Sequence, residues 1–259
     1  MTDSLHIAAT GMHAQQTQID TIANNLANVN TIGYKKSRVD FQDLIYKSMN
    51  ESNNILGQDA QNTLLGLGTA VVGSSKDFSV GDIKATQNPM DVAIDGPGFF
   101  EVVLPDGSYG YTRAGSLRVN NEGFLINTDG YVLNPMVQLP SDMESMLIGS
   151  DGVIKAKLVN QQDLVEVGKI ELGKFVNSSG LKPVGANLYL PTEQSGDAIY
   201  AAPGEDGSGV IRQGFLEGSN VQLVEELTNL ILAQRAYEIN SKVVQASDEL
   251  LGIVNNLRR

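Results

Sequence analysis

The sequence predicts an α+β fold in which an N-terminal and a C-terminal helix pair as a coiled coil, with a mostly antiparallel β-domain inserted between them. Two observations predict this fold. Near both ends of the chain, apolar residues recur at intervals that alternate between three and four, which is the heptad pattern of paired helices. Between the ends, short runs of β-branched and aromatic residues alternate with glycine-containing turns, which is typical of antiparallel strands.

The predicted C-terminal helix begins at Ser219 and carries two apolar stripes. Ser219 and Gln222 have the spacing of a capping box. Arg258 and Arg259 lie at the far end, where positive charge suits the helix dipole. The stripes are offset by about 100°, because each residue turns the helix by that angle. The first consists of Leu223, Leu230, Tyr237, Val244 and Leu251, and the second of Ala236, Ile239, Val243, Ala246, Leu250, Ile253 and Leu257. A helix with two apolar faces needs neighbours on two sides.

The predicted N-terminal helix supplies the first of these neighbours. Its stripe consists of Leu5, Ala8, Met12, Gln15, Ile19, Ile22, Leu26 and Val29. Gly33 follows the stripe, where a residue in the left-handed conformation could end the helix. Residues 1–33 and 219–259 are therefore expected to form one helical coiled-coil domain. Periodicity alone equally allows two core helices of a globular bundle, and the second C-terminal stripe favours assembly with other copies.

Residues 34–75 are expected to form an extended connecting domain. Lys35, Lys36 and Arg38 make its one dense basic cluster, which either lies on a solvated turn or contacts the acidic surface of a neighbouring subunit. Residues 46–70 are rich in amide side chains and carry few helix or strand signals. They predict an extended segment or a long loop, and long ordered loops are usually functional.

Residues 76–218 are expected to form the β-domain. Tight turns are indicated at Asp106-Gly107, Glu122-Gly123, Asp129-Gly130 and Asp151-Gly152, because glycine permits positive φ there. The segment 96–98, Gly-Pro-Gly, precedes a pair of phenylalanines and predicts a strand start at a close backbone approach. The predicted strands of the antiparallel sheet cover residues 99–104, 109–115, 116–120, 123–127, 131–134, 152–159 and 167–172.

Composition and motifs exclude several classes of function. The net charge of −12 argues against nucleic-acid binding, which requires a basic surface, and the chain has no cysteine. No secretory signal peptide and no run of apolar residues long enough for membrane insertion are predicted. His6 and His13 lie about 10.5 Å apart along a helix, too far to share a metal. Asp95 and Glu101 are interpreted as solvated carboxylates. We therefore expect no enzyme activity, no cofactor and no metal.

Four segments resemble the bacterial flagellar rod and hook proteins. They are LANVNTIGYKKSRVDFQDL (26–44), DVAIDGPGFFEVVLPDGSYGYTRAGSLRVNNEGFLINTDGYVL (91–133), QGFLEGSNVQLVEEL (213–227) and QRAYEINSKVVQASDELL (234–251). The resemblance covers most of the chain. Chain length and the amide-rich segment favour the distal rod branch of the family, with a proximal rod paralogue as the second interpretation. The motif residues are Asn25, Asn28, Gly33, Lys35, Gly96, Gly98, Phe99, Phe100, Asn220, Arg235, Tyr237 and Asn240.

This resemblance implies three layers: an inner coiled-coil domain, a middle connecting domain and an outer β-domain. It implies a helical homopolymer that encloses the export channel and acts as a drive shaft, transmitting torque from the motor to the hook. The implied partners are the proximal rod proteins, the hook protein, the P-ring and L-ring proteins as bushing, and the flagellar type III export apparatus. The implied location is the basal body, from the periplasm to the outer membrane, reached without a cleaved signal peptide.

Two functions of other classes remain alternatives at this point. One is a β-rich adhesin or glycan-binding protein with a helical oligomerisation stalk, and the other is a β-rich hydrolase. A discrete trimer that binds a glycan would favour the adhesin, and a cleft with perturbed carboxylates would favour the hydrolase.

Overall fold

The computed structural model describes residues 2–44, 46–48, 64–159 and 163–257. Within this part of the chain an N-terminal helix, an antiparallel β-rich middle and a C-terminal helix confirm the predicted α+β class. The chain forms two compact units, the first with residues 1–26, 37–75 and 222–259 and the second with residues 27–36 and 76–221. The assignment to inner, middle and outer domains stays a prediction.

The first unit consists of the two long helices and four strands. Its elements are α1 (Thr2–Ala27), β1 (Ser37–Asp43), β2 (Tyr46–Ser48), β3 (Leu64–Gly66), β4 (Thr69–Lys76) and α2 (Leu223–Leu257). Strand β1 pairs with β4, and β2 pairs antiparallel with β3. Gly68, at φ +113°, approaches α1 so closely that an added Cβ would lie 2.3 Å from Oγ1 of Thr10. Most of the segment predicted as extended, residues 49–63, lies outside the described residues.

The predicted boundaries of both helices need correction. Helix α2 begins at Leu223 rather than at Ser219, since Asn220 is held instead by two other segments of the second unit. Its Oδ1 accepts from the N–H of Lys36 at 2.8 Å, and its Nδ2 donates to the carbonyl of Asp77 at 2.8 Å. The hydroxyl of Ser219 accepts from the N–H of Val221 at 3.3 Å, which makes a local turn in place of the predicted capping box.

Helix α1 ends at Ala27, so Val29 lies in the following turn rather than on the helical stripe. Gly33 has the predicted left-handed conformation, at φ +68°. Its N–H, however, donates to the carbonyl of Glu217 at 2.9 Å and does not cap the helix. Gly33 therefore fixes a contact within the second unit.

The second unit is a β-structure of short strands. Its elements are β5 (Ile83–Ala85), β6 (Val92–Asp95), β7 (Phe100–Val103), β8 (Tyr109–Thr112), β9 (Arg118–Val119), β10 (Leu125–Ile126), β11 (Val132–Asn134), β12 (Met143–Ile148), β13 (Val153–Leu158), β14 (Leu164–Lys169), β15 (Leu172–Lys174), a 3-10 turn (Ser178–Gly180), β16 (Lys182–Gly185), β17 (Leu188–Leu190), β18 (Ile199–Ala201), β19 (Val210–Gln213) and β20 (Phe215–Glu217).

The strands form several antiparallel sheets rather than the single predicted one. The largest has the order β16-β17-β8-β7-β11-β10-β9, while β12, β13 and β14 form a separate three-stranded sheet, so the predicted strands 152–159 and 167–172 lie outside the main sheet. The predicted run 167–172 is also divided, since β14 ends at Lys169 and β15 begins at Leu172. Core side chains come from both sheets, and Phe100, Leu133 and Ile154 are almost fully buried. A second cluster is aromatic, with Phe99 and Tyr111 among its members.

Candidate assembly surface

Helix α2 exposes many large apolar side chains. They are Leu223, Val224, Leu227, Ile231, Leu232, Tyr237, Ile239, Val243, Leu250, Ile253 and Val254. Val224 is 75% exposed and Leu250 is 54% exposed. Single exposed apolar residues are ordinary on protein surfaces, whereas a contiguous set of this kind marks an interaction surface.

Seven of these side chains form two patches on different sides of α2. The N-terminal patch consists of Val224, Leu227 and Ile231, and the C-terminal patch consists of Ile239, Val243, Leu250 and Ile253. With 100° of rotation per residue, the mean directions of the two patches differ by about 90°. One straight neighbouring helix could not cover both patches.

The structure places the residues predicted for assembly in three environments. Exposed are Leu223, Tyr237, Ile239, Val243, Leu250 and Ile253; partly buried are Leu5, Met12, Ile19, Leu26, Val29, Leu230, Val244 and Leu251; buried are Ala8 and Ile22. The side chain of Leu257 lies outside the described residues. The second predicted stripe is therefore mostly exposed on the single chain, and its role in assembly stays a prediction.

Two contacts between helices α1 and α2 show that the helices run in opposite directions. An added Cβ on Gly11 would lie 2.9 Å from Nδ2 of Asn240, so the two residues are in close contact. Nδ2 of Asn25 donates to Oε2 of Glu226 at 3.4 Å. Moving 14 residues forward along α1 thus corresponds to moving 14 residues backward along α2. The helices are antiparallel, and residues whose numbers sum to 251 lie opposite each other.

The side of α2 buried within the chain is small and polar rather than apolar. Ala233, Ser247 and Glu226 are its buried residues. On α1, Asn25 is buried and the Oε1 atom of Gln18 is buried without a hydrogen-bond partner. Leu230, Val244 and Leu251 are partly buried, whereas the other large apolar side chains described on α2 remain at the surface.

Asn25 also fixes the start of strand β1. Its Oδ1 accepts from the N–H of Ser37 at 2.8 Å, while its Nδ2 donates to the Ser37 carbonyl at 2.9 Å. This side-chain amide satisfies both backbone groups of one residue, as a neighbouring strand would. The motif asparagines Asn25 and Asn220 thus each hold backbone from another part of the chain, within their own units.

The second unit contains a buried charge cluster of Lys35, Arg113 and Glu217. Nζ of Lys35 lies 2.7 Å from Oε1 of Glu217, and Nη1 of Arg113 lies 3.1 Å from Oε2. The three side chains are 0%, 2% and 0% exposed, respectively. Lys35 also donates to the carbonyl of Ser79 at 2.5 Å, and Arg113 to that of Gly96 at 2.8 Å.

Lys35 is thus neither solvated nor free to contact a neighbouring subunit, and both interpretations of the basic cluster were wrong for this residue. Burial lowers the pKa of Lys35, against the opposing effect of Glu217. Lys36 and Arg38 do lie nearer the surface, beside Asp77 at 3.8 Å and Asp40 at 3.2 Å.

Glu101 is likewise buried, which corrects its interpretation as a solvated carboxylate. Its Oε1 accepts from the hydroxyls of Tyr111 at 2.9 Å and Tyr200 at 2.5 Å. Its Oε2 accepts from the amide of Asn134. These bonds join four strands, β7, β8, β11 and β18, so the carboxylate has a structural environment. Among the described residues no group of three or more acidic or histidine side chains could hold a metal.

The remaining motif residues have varied environments. Gly96 and Gly98 have positive φ, and a Cβ on Gly96 would lie 2.7 Å from the backbone of Gly209. Phe99 and Phe100 are core residues. Asn28 accepts from the hydroxyl of Thr31 in the turn after α1, and Arg235 pairs at the surface of α2 with Glu238 at 2.8 Å.

Gly33→Ala is expected to destabilise the second unit by roughly 2–3 kcal/mol, because a left-handed residue with a side chain is strained. The new Cβ would also lie 2.7 Å from the backbone N of Ala114. Gly107→Ala is the matched control, since Gly107 has φ +82° and open space around it. Gly107→Ala should therefore lower the free energy of unfolding by about 1 kcal/mol. Chemical denaturation measures the free energy of unfolding of both variants. If Gly33→Ala and Gly107→Ala lowered it equally, the steric explanation would be contradicted.

The sequence matches three family profiles. They are described as "Flagella basal body rod protein" over residues 5–35, "Flagellar hook protein FlgE/F/G D1 domain" over residues 93–156, and "Flagellar basal body rod FlgEFG protein C-terminal" over residues 212–257. Two terminal helices around a β-rich insertion, together with these matches, define the class of flagellar rod and hook proteins.

Full-length relatives specify the member of that class. The chain is 43% identical to the flagellar basal-body rod protein FlgG of Borreliella burgdorferi, with 100% of both chains covered. It is 41% identical to FlgG of Agrobacterium fabrum, with 97% and 98% covered, and 40% identical to FlgG of Bacillus subtilis, with 100% of both covered. The chain belongs to the FlgG family of flagellar basal-body rod proteins. None of its described helices is both long and apolar enough to span a membrane.

Proposed function

We propose that this chain is a structural subunit of the distal flagellar rod that self-assembles into a helical tube. The tube acts as a drive shaft from the motor to the hook and encloses the export channel. Membership of the FlgG family supports the rod role. The chain's role is mechanical, and we expect no catalysis.

The observation that carries the self-assembly is the exposed apolar surface of α2. Burying a large aliphatic side chain fully contributes about 1.5–3 kcal/mol, so leaving both patches in water is costly for an isolated chain. Contacts between copies would cover them. A repeating contact between different surfaces of identical copies does not close and generates a helical filament.

The predicted coiled-coil pairing of α1 and α2 is part of this proposal. Their antiparallel contacts at Gly11 and Asn25 support it. Because the fully buried residues of α2 are an alanine, a serine and a glutamate, the pairing of the two helices is expected to be weak in one chain and strengthened by neighbouring copies.

The proposed partners are the other components of the flagellar axis. They are the proximal rod proteins, the hook protein, the P-ring and L-ring proteins as bushing, and the type III export apparatus. The proposed location extends from the periplasm to the outer membrane, and export uses no cleaved signal peptide. We propose no nucleic-acid partner and no membrane insertion.

A paralogous role is the nearest alternative. The chain is also 32% identical to the "Flagellar hook-basal body complex protein FlhP" of Bacillus subtilis, against 40% for FlgG of the same organism. The higher identity favours the FlgG assignment. The adhesin and hydrolase alternatives have no comparable support.

Electron microscopy of the purified, concentrated protein tests the proposal. Tubes with a central channel are expected. Discrete trimers or other closed oligomers at all concentrations would contradict it.

Residues 1–30 and 225–259 are expected to be unprotected in hydrogen exchange on the dilute monomer and protected in the polymer. The reason is that one chain leaves the apolar patches of α2 in water, and isolated helix pairs of this kind are marginal. Strong protection of both segments in a proven monomer would argue against the proposal.

A further inference from the structure

A cavity of about 340 Å³ lies in the second unit, where the aromatic cluster meets the buried charge cluster. Its walls include the rings of Phe78, Phe99 and Phe175, and the Phe99 ring lies 5.3 Å from Phe78 and 5.8 Å from Phe175 between centroids. Arg113 and Lys174 also line it, and none of the described residues around it is acidic. We call this space the aromatic cavity. Its volume falls within the range of small-molecule sites, about 300–1,000 Å³.

Arg113 has one hydrogen-bond donor that the fold leaves unused. The side chain is 2% exposed, and its Nη1 and Nη2 donate to Glu217 and to the carbonyl of Gly96. Its Nε is buried without a hydrogen-bond partner among the described residues. Buried donors are almost always paired, because an unpaired donor keeps the full cost of its desolvation. A partner for this N–H is therefore expected from outside the chain.

The charges at the aromatic cavity favour an anion as that partner. Lys35 and Arg113 share the carboxylate of Glu217, so these three buried side chains carry a net positive charge. Burial lowers the pKa of Arg113, against the opposing effect of Glu217. Lys174 adds a further cation, and although its Nζ donates to the carbonyl of Asp206, an ammonium can donate more than one hydrogen bond. An anion in the cavity would compensate this excess of positive charge.

The three phenylalanine rings restrict the kind of anion. An inorganic anion such as phosphate would gain nothing from these apolar walls, whereas an organic acid can bury an apolar body against them. A carboxylate matches the planar guanidinium of Arg113 and carries one negative charge, as the net charge of the buried cluster requires.

We propose that the aromatic cavity binds a monocarboxylate with an aromatic or branched apolar body, whose carboxylate accepts a hydrogen bond from Nε of Arg113. This binding site goes beyond the proposed self-assembly and does not depend on it. The carboxylate can come from two sources, a free carboxylic acid or an acidic side chain of a neighbouring copy of this chain.

Titration with hydrocinnamate tests the site, using the full chain below the concentration at which it polymerises. The arginine Nε–H resonances report binding, and that of Arg113 is expected to shift. Hydrocinnamamide has the same shape without the charge and should bind about tenfold more weakly, because charge-assisted hydrogen bonds are roughly twice as strong as neutral ones. No binding, equal binding of the two probes, or binding that leaves the Arg113 resonance unchanged overturns the proposal.

Val80→Asp provides a variant that leaves the core intact. Val80 lines the cavity and is 43% exposed, so its replacement removes little packing. The affinity for hydrocinnamate is expected to fall about tenfold, because two like charges at short range repel each other. Val184→Asp is the matched control, since Val184 is 45% exposed on β16 and does not line the cavity. Equal affinities of the two variants, with the thermal transition of the β-structure unchanged in both, overturn the proposal.

Titration of the polymer distinguishes the two sources of the carboxylate. Hydrocinnamate bound by monomer and polymer alike supports a site for a free carboxylic acid. Hydrocinnamate bound by the monomer and excluded from the polymer supports the site with an acidic side chain of a neighbouring copy as its occupant. Because the titration of the monomer needs no polymer, a failure of the proposed self-assembly leaves its result unaffected, and a monomer that does not bind the probe overturns this inference alone.

Discussion

Leu250→Asp is expected to give a soluble, folded and exported protein that cannot form a rod. Leu250 is 54% exposed on the single chain, so the substitution removes little packing from the isolated fold. In the polymer the same position would be covered. A buried, unpaired carboxylate is destabilising by several kcal/mol unless it takes up a proton, and the cost recurs in every subunit.

Cells carrying Leu250→Asp should therefore lack external hooks and fail to swim, although the export of the subunit continues. Motility in soft agar and electron microscopy of basal bodies provide the measurement. Gln245→Glu, at an exposed position on the same helix, is the control and should be mild. Normal motility with Leu250→Asp would show that this stripe faces solvent in the rod.

Glu217→Gln is expected to lower the free energy of unfolding of the second unit by about 3–5 kcal/mol, because it leaves two buried cations without their carboxylate. Lys35 and Arg113 are at most 2% exposed, so water cannot replace the lost charge. Chemical denaturation followed by a β-sheet signal gives the measurement. Glu205→Gln, at an exposed turn, should change stability by less than about 0.5 kcal/mol.

A second variant distinguishes charge from shape in this cluster. Lys35→Met combined with Glu217→Gln leaves Arg113 as the one buried cation of the cluster. This double variant is expected to be more stable than Glu217→Gln alone, because buried cations without a counter-charge are the costly feature. Equal or lower stability of the double variant would mean that side-chain packing, and not charge, dominates at this position.

The sequence allowed the long periodic elements and the turns to be predicted well. The heptad patterns located both helices, and the glycines at positions 107, 123, 130 and 152 all have the positive φ that the turn sequences indicated. Such signals are local, because a few neighbouring residues determine them. The helix start was misplaced for the opposite reason: Asn220 bonds to Lys36, which is 184 positions away.

The buried charges could not be predicted either, because they too depend on contacts between residues far apart in the sequence. Lys35 lies in a basic run that looks solvated, and Glu217 ends the short strand Phe215–Glu217, next to Gly218. Their contact spans 182 positions, and nothing in either neighbourhood indicates the other. The apolar stripes of α2 did indicate an interaction surface. Only the structure, with its antiparallel helix contacts, distinguished the side of α2 that faces α1 from the side that is exposed on the single chain.

The position of Glu217 in the chain also bears on when the β-structure can fold. Lys35, Gly81 and Arg113 all depend on this carboxylate, through a salt bridge, a backbone N–H bond of 2.9 Å and a second salt bridge. A chain that began to fold from its N-terminal end would bury both cations before the acid that neutralises them had joined the core. Up to that moment, closing the core would trap uncompensated charge. The core of the second unit can therefore close only when the chain from Lys35 to Glu217 is available as a whole, so this unit is expected to fold as one cooperative element.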